Sequence, residues 1–489
     1  MIVAGIDVGT QSAKAVVYDA ERKNIIASGS MAINLISTEG GVREQKAEWW
    51  IDAIKGCFDQ IDPAIKKEVS AISVSGQQHG FVPVAENGKV LYNVKLWCDT
   101  STANECSILE HSFGGEERLF SECGNRILPG YTASKILWFF NNHKDLYDRM
   151  KYVMLPHDYI NYYLTGKAIM EKGDASGTGL LNVRTAKWNK ELCDAISPSL
   201  IDKLPSVIEE PAIIADILPA VASELGLSES CIVVSGGGDN MMSAIGTGTV
   251  KDGIVAISLG TSGTLFSSAS YPVVDKKGRL AAFCSSHGTW LPLLCTMNCT
   301  VASEVFRKQM GLSAKEFDAE AEKAPIGSEG IVLLPFLNGE RVPDLPKGEG
   351  VLGGISIDNL KNSNIARAVL EGVTFEFLLG LDAFKEHGMS FDKAILTGGG
   401  ANSPFWRQLV ADITGLQVVV PAIKESAAFG AALQAYAVAS GISVEDVCAL
   451  HVLYDESKDV SPDFENTVRY KAVYKKWISY VSNLESLFR

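Results

Sequence analysis

The chain has 489 residues, 46% of them hydrophobic and 21% charged, with a formal net charge of -14. That is length for two or three domains and enough apolar surface for a large core. The negative balance argues against nucleic acid or an anionic membrane surface as the main partner, while an anionic nucleotide held by a few local donors stays compatible with it.

The cysteines (57, 98, 106, 123, 193, 231, 284, 295, 299 and 448) show no paired framework. Cys295 and Cys299 lie a helical turn apart, but no second Cys or His pair completes a zinc site, so buried thiols of a reducing compartment are expected. Residues 1–10 lack a basic start and place Asp7 where a signal peptide is apolar. No run approaches the ~18 apolar residues of a membrane helix. A cytoplasmic chain without a membrane partner is expected.

In chain order, Ile2 to Ile6 reads as a strand, followed by Asp7-Val8-Gly9-Thr10-Gln11-Ser12 and a second strand from Ala13 to Tyr18. The turn's N–H groups and hydroxyls suit a phosphate, and Lys14 adds charge; an ordinary Gly-Thr hairpin turn reads the same way. Glu44 to Phe58 has helical spacing. Val69 to Val74 is a strand ending in Ser75-Gly76-Gln77-Gln78-His79-Gly80, whose amides and imidazole can both donate to and accept from hydroxyls. Trp97 beside Asp99 offers a ring and a carboxylate to a sugar. Tyr131 to Asn142 reads as a helix started by Thr132 or Ser134, Asp158 to Thr165 as another helix, and residues 174–179 as a polar turn.

The most informative stretch is Cys231 to Gly248. Ile232 to Val234 is a buried strand that breaks at Gly236-Gly237-Gly238, which leave no side chains in the way of a ligand. Asp239 and Asn240 follow, then a helix of small residues from Met241 to Gly246. A carboxylate at a strand end is a candidate general base, and a helix-capping aspartate is the plain alternative. Gly253 to Leu259, the turn Gly260-Thr261-Ser262-Gly263 and a strand from Thr264 to Ser267 repeat the N-terminal unit half a chain later, which suggests a duplicated fold. Ile331 to Leu337 is a strand before Asn338-Gly339-Glu340-Arg341. A helix spans Asn364 to Phe384, and a short strand opens at 398–403 into a glycine loop. Glu425 to Ala437 is again rich in small residues, so this helix and the one after Asp239 are expected to cross closely, as a hinge. From Ser461 a terminal helix carries Phe464, Tyr474, Trp477, Val481, Leu484 and Phe488 at helical spacing.

In this order, these features resemble the FGGY carbohydrate kinases, relatives of hexokinase, actin and Hsp70, over essentially the whole chain. Gly130-x-Thr132-x-x-Lys135-Ile136-x-Trp138-Phe139-x-Asn141-Asn142 fits the first family signature. Gly350-x-Leu352-x-Gly354-Ile355 with Asn364-Ile365-x-x-Ala368-Val369-Leu370-Glu371 fits the second. The resemblance implies an α/β fold of two duplicated ribonuclease H-like domains with a cleft between them. The expected units are a sugar-binding 1–243, a nucleotide-binding 244–440 and a helical tail 441–489.

Within the family, Ser75 to Gly80, Trp97-x-Asp99, Gly236 to Asn240 and Gly339-Glu340-Arg341-x-Pro343 resemble the branch that phosphorylates D-xylulose. Glycerol kinases carry an Arg-Glu pair where Gln78-His79 stand. Many bacterial members of the branch have Met at Gln78 and Asn at Cys98, so another ketopentose or polyol stays open as the sugar. The resemblance implies ATP and Mg²⁺, with Asp239 as base and Asp7 toward the metal. It implies Thr10, Gln11, Ser12, Lys14, Gly260, Thr261 and Ser262 on the phosphates, Gly399, Gly400 and Asn402 on the adenosine, and Gln78, His79, Trp97, Asp99, Asp239 and Asn240 on the sugar. Related kinases are often homodimers. A catalytically idle sugar sensor, or an ATPase acting on proteins, would share the fold; the retained carboxylates and the paired sugar-reading loops speak against them.

Overall fold

The computed structural model describes residues 1–488. The first apolar run forms β1 (Ile2–Val8), which turns through residues 9–11 into β2 (Ser12–Asp19) and then β3 (Asn24–Ala32). Helix α1 (Ala47–Asp59) leads to β4 (Val69–Gly76), parallel to β1. Helices α2 (Thr132–Asn142) and α3 (Pro156–Thr165) precede an edge strand, β5 (Ile213–Asp216). Strand β6 (Ile232–Gly238) then lies parallel to β4 and runs directly into α4 (Asp239–Thr247). The sheet order is β5-β6-β4-β1-β2-β3.

The second half repeats this. Strands β7 (Ile254–Leu259), β8 (Gly263–Ser267) and β9 (Leu293–Thr296) are successively antiparallel. After helices α5 (Thr300–Gln309) and α6 (Asn362–Glu386), β10 (Lys393–Thr397) lies parallel to β7. Helix α7 (Pro404–Thr414), β11 (Gln417–Val419), α8 (Ser426–Ser440) and α9 (Phe464–Phe488) complete the chain. The order is β9-β8-β7-β10-β11. With the edge strand β5 set aside, each sheet is three antiparallel strands followed by two parallel ones. The registers match as well: Asp7 stands opposite Lys14 and Ser75, and Ser258 opposite Thr264 and Thr397. The expected duplication is present.

The two small-residue helices cross as expected, and closely. A Cβ built on Gly430 of α8 would stand 1.8 Å from the Met242 carbonyl of α4, and one on Gly246 would stand 1.9 Å from the Ser426 carbonyl. Helix α8 also lies on the first sheet, since a Cβ on Gly5 of β1 would meet the Ala428 carbonyl at 1.9 Å. One apolar cluster therefore takes Val3, Val16 and Met242 from the first half and Ala256, Phe266 and Leu433 from the second.

Some local expectations change. Helix α1 begins at Ala47, because Glu44 and Gln45 belong to a short strand, Arg43–Gln45. Neither Thr132 nor Ser134 caps α2; both hydroxyls serve tertiary contacts instead. Residues 174–179 begin within the short helix Lys172–Ser176 and turn only after it, and the whole segment is buried. In α9, Trp477, Val481 and Phe488 are buried, but Phe464 is 82% exposed and Tyr470 takes the inner place at that end. The cysteines are free thiols, all buried except the half-buried Cys98 and Cys295. Among the described residues no helix is long and apolar enough to cross a membrane.

The crossing makes a test. Gly430→Ala forces a methyl into backbone and is expected to cost at least ~1–3 kcal/mol, read as a lower urea midpoint; an unchanged midpoint would mean the helices are not in such close contact.

Candidate active site

Strand β6 ends differently from its sequence reading. It continues through the three glycines, with a bulge after Val234 where Gly236 adopts a φ of +71°. The missing side chains make room for protein, not for a ligand: a Cβ would meet the Val74 carbonyl at Gly236, Ser286 Oγ at Gly237 and Gln78 Cγ at Gly238. The bulge sets Gly237 opposite Ser75, which is itself opposite Asp7. Asp239 then opens α4 at its first position, with Gly238 as the cap residue, so it is not the capping aspartate.

Asp239 Oδ1 accepts from the Asn240 N–H at 2.8 Å and from Asn240 Nδ2 at 3.1 Å. Burial pushes its carboxyl up to about 7, with the negative charges of Asp7 and Asp174 adding to the shift. Asp7 is raised as well, chiefly by burial; the Ser75 hydroxyl, donating at 2.7 Å, and Lys14 across the hairpin pull the other way. Two carboxylates thus share one low-dielectric space, the arrangement of a base poised near neutrality.

Gln78, His79 and Trp97 gather beside them. Gln78 is buried and its Oε1 accepts from Asn240 Nδ2 at 2.9 Å. His79 has a φ of +64°. That strained backbone is held by the first family signature, since Thr132 Oγ1 and Lys135 Nζ both donate to the His79 carbonyl, at 3.2 and 2.9 Å. The His79 ring packs on Tyr131 and Phe283. Burial, then the Lys135 charge, pushes it down to about 3, so it is neutral and can both donate and accept. Trp97 Nε1 donates to Thr10 Oγ1 at 2.9 Å, and Thr10 donates in turn to Gln77 Oε1 at 2.9 Å. One hydroxyl therefore joins the first turn to Trp97 and Gln77.

Asp99 does not join this group. It is fully buried, and its oxygens are taken by the N–H of Arg43, by Lys95 Nζ at 3.2 Å and by the N–H and Oγ of Ser101. With four donors from within the protein, it fixes the loop that carries Trp97 rather than reading a hydroxyl.

Behind Gln78 lies a group that sequence reading missed. His157 Nδ1 stands 2.6 Å from Asp174 Oδ2, both at 0% exposure; burial raises the Asp174 carboxyl, and His157 and then Gln78 pull it back. Burial works against the charged imidazole, but Asp158, Asp174 and Glu171 outweigh it and raise His157 above its ordinary range. The polar chain is in two parts, His157 to Asp174 and Gln78 through Asn240 to Asp239. The signal was present in sequence only as scattered polar residues, because the chain spans α3, the Lys172–Ser176 helix and two strand ends.

On the other side, the N–H groups of Thr10 and Gln11, and of Thr261 and Ser262, donate to no protein acceptor among the described residues. The carbonyls of Gly260 and Thr261 face the N-terminus of α5, receiving the N–H groups of Thr300 at 2.9 Å and of Cys299 at 3.1 Å. Each turn thus offers outward amides, as an anion site requires. Gly398 abuts the second turn: its Cβ would lie 2.5 Å from the Leu259 carbonyl. Gly399 is open, Gly400 is buried, and Asn402 is exposed with its Nδ2 donating to the Gly399 carbonyl at 3.1 Å. Ser12 and Lys14 are half-buried in β2 and Gln11 is exposed. Among the described residues no cluster of three or more His, Cys, Asp or Glu is arranged to hold a metal alone. An oxygen donor such as Asp7, beside phosphates and water, fits the hard cation Mg²⁺, which prefers one or two carboxylates and keeps its waters.

Such a site, at equivalent strand ends of two duplicated sheets, suits a sugar phosphotransferase. The match to known proteins agrees: models of the FGGY family of carbohydrate kinases cover residues 2–246 for its N-terminal domain and 255–439 for its C-terminal domain. The chain belongs to that family and is an ATP-dependent carbohydrate kinase.

Among its relatives, a Haemophilus influenzae protein described as xylulose kinase is 40% identical, covering 98% of this chain and 99% of the relative. A Lactococcus lactis xylulose kinase is 33% identical over 99% and 97%. The crystal structure of xylulose kinase from Bifidobacterium adolescentis superposes with a TM-score of 0.85 at 27% identity, covering 98% of this chain and 99% of that one. A gluconate kinase from Lactobacillus acidophilus reaches 0.92 at 24% identity over 100% and 99%, which shows the shared fold alone.

The raised Asp239 carboxyl has a cost to the fold. A group raised on folding contributes stability below its unfolded value and loses it as pH rises toward about 7. Asp239→Asn is therefore expected to raise Tm, more at pH 8 than at pH 5; a lower Tm at pH 8 would refute the burial argument.

Proposed function

We propose that the enzyme transfers the γ-phosphoryl group of ATP to the terminal 5-hydroxyl of D-xylulose, giving D-xylulose 5-phosphate and ADP. The observation that carries the reading is the Asp239 carboxyl, raised to about 7 beside Gln78, Asn240 and the neutral His79. The choice of sugar is supported by relatives described as xylulose kinases that align over the chain's full length.

In this reading residues 1–243 hold the sugar and 244–440 the nucleotide, with 441–489 a helical tail packed on the core. Trp97 supplies a face for the sugar's C–H groups, and Gln78, His79 and Asn240 meet its hydroxyls. Asp239 takes the 5-hydroxyl proton as that oxygen attacks phosphorus. The outward amides at Thr10 and Gln11, with Ser12 and Lys14, and those at Thr261 and Ser262, with Gly260, hold the phosphates. Gly399, Gly400 and Asn402 border the adenosine. Asp7 would hold Mg²⁺, directly or through water, and the bound ion would supply charge neutralisation for the phosphates. Positioning and neutralisation carry most of the catalysis, because the transition state is loose.

A coupled ADP-release assay over D-xylulose, D-ribulose, L-ribulose, glycerol and gluconate tests the substrate; D-xylulose should give the highest kcat/KM, and a clear preference for another sugar would overturn the assignment. Asp239→Ala should lower kcat by at least ~10²–10⁴-fold. For the wild-type enzyme, kcat/KM should fall as pH drops through about 7, since the base must be ionised. A flat profile between pH 5 and 8 would remove Asp239 from that role.

A further inference from the structure

One motif remains without a task. Residues 338–345 of the second half lie between β9 and α6 and reach the sugar-side wall of the first. Arg341 places its guanidinium 5.8 Å from the Trp97 ring centre. Its charge acts on His79, Tyr131 and the Cys295 thiol, and Asp239 acts on the same thiol from its own side. Arg341 therefore stands over the Trp97 ring, on the wall proposed above to meet the sugar.

This cation is half-buried, yet among the described residues its guanidinium forms no ion pair. The acids of its own loop are committed elsewhere. Glu340 accepts from the N–H groups of Met297 and Arg341, both at 2.7 Å, and from Asn298 Nδ2 at 3.0 Å. Asp344 pairs with Arg126 of the first half at 2.9 Å. Behind Glu340 lies Glu376 of α6, a fully buried carboxyl that burial and the Glu340 charge hold well above the usual carboxylate range. The loop is thus braced at both ends, and a guanidinium without a counter-charge is left at the point where the two halves meet.

We propose that Arg341 is a catalytic residue that the nucleotide half delivers to the sugar half, where it binds the phosphoryl group in transit. This rests on the phosphotransferase reading above. As the sugar oxygen–phosphorus bond forms and the bond from the γ-phosphorus to the ADP oxygen breaks, ADP leaves with the electron pair and the hydroxyl proton passes to Asp239. Negative charge spreads over the equatorial phosphoryl oxygens, and a planar guanidinium can meet two of them at once. Stacking on Trp97 would hold the Arg341 plane in readiness.

The test uses the full-length enzyme, with whichever sugar of the panel the wild type phosphorylates best, so that the substrate assignment and the role of Arg341 fail separately. Arg341→Ala should lower kcat by ~10³-fold, Arg341→Lys should recover part of it, and the KM for sugar should change little. Added guanidinium should restore activity to Arg341→Ala and not to wild type. ATP hydrolysis without sugar separates phosphoryl binding from a mere lid: it should fall in Arg341→Ala, whereas loss of a water seal would raise it. A kcat within threefold of wild type in both variants, a loss confined to the KM for sugar, or a rise in sugar-free hydrolysis would each overturn the proposal.

Discussion

The structure depends on two carboxylates kept where neither is at ease. Asp7 and Asp239 sit at the ends of parallel strands separated by one neighbour, with Ser75 between their registers. Burial disfavours ionisation of both, and the charge of Asp7 adds to the shift of Asp239, while the pairing of β1, β4 and β6 fixes the backbone that carries them. The glycine bulge in β6 serves this constraint, because it lets Ser286, Gln78 and the Val74 carbonyl close around the strand end. A carboxyl raised into the neutral range follows from the packing, and a divalent cation next to Asp7 would ease the same strain.

Around that pair, each half supplies a different chemistry through the same architecture. The β1–β2 and β7–β8 turns are equivalent by register and both present free amides. The first half adds a wall of ring, amide and imidazole, clamped by Thr132 and Lys135. The second family signature is scaffolding: Glu371 accepts from Gly327, Arg367 and Tyr470, tying α6 to the terminal helix α9. The first signature braces the loop of His79, and the second braces the terminal helix.

The halves are joined in more than one place. Helices α4 and α8 meet backbone to backbone, and the segment near Ala282 exchanges two hydrogen bonds with Asn125, at 2.8 and 2.7 Å. Trp290 Nε1 also donates to the Val183 carbonyl at 2.7 Å. Relative motion would have to keep the small-residue crossing as its pivot, since its contacts leave no room for a side chain.

Sequence alone determined the features that are local or periodic. Alternating apolar runs marked most sheet strands, the repeated Gly-Thr turns gave the duplication, and Asp239 stood out because a carboxylate directly after a strand-glycine break is a local pattern. Long gapped signatures carried the family. Tertiary structure decided what depends on residues far apart in the chain. It withdrew Asp99 into a buried network with Arg43, Lys95 and Ser101 and brought in Asp174 and His157 behind Gln78. It also carried Arg341 across to Trp97 and gave the three glycines to neighbouring protein atoms rather than to a ligand. The physical reason is that a side chain's chemistry is fixed by its covalent structure, whereas its charge state, partners and exposure are properties of the neighbours that folding brings to it.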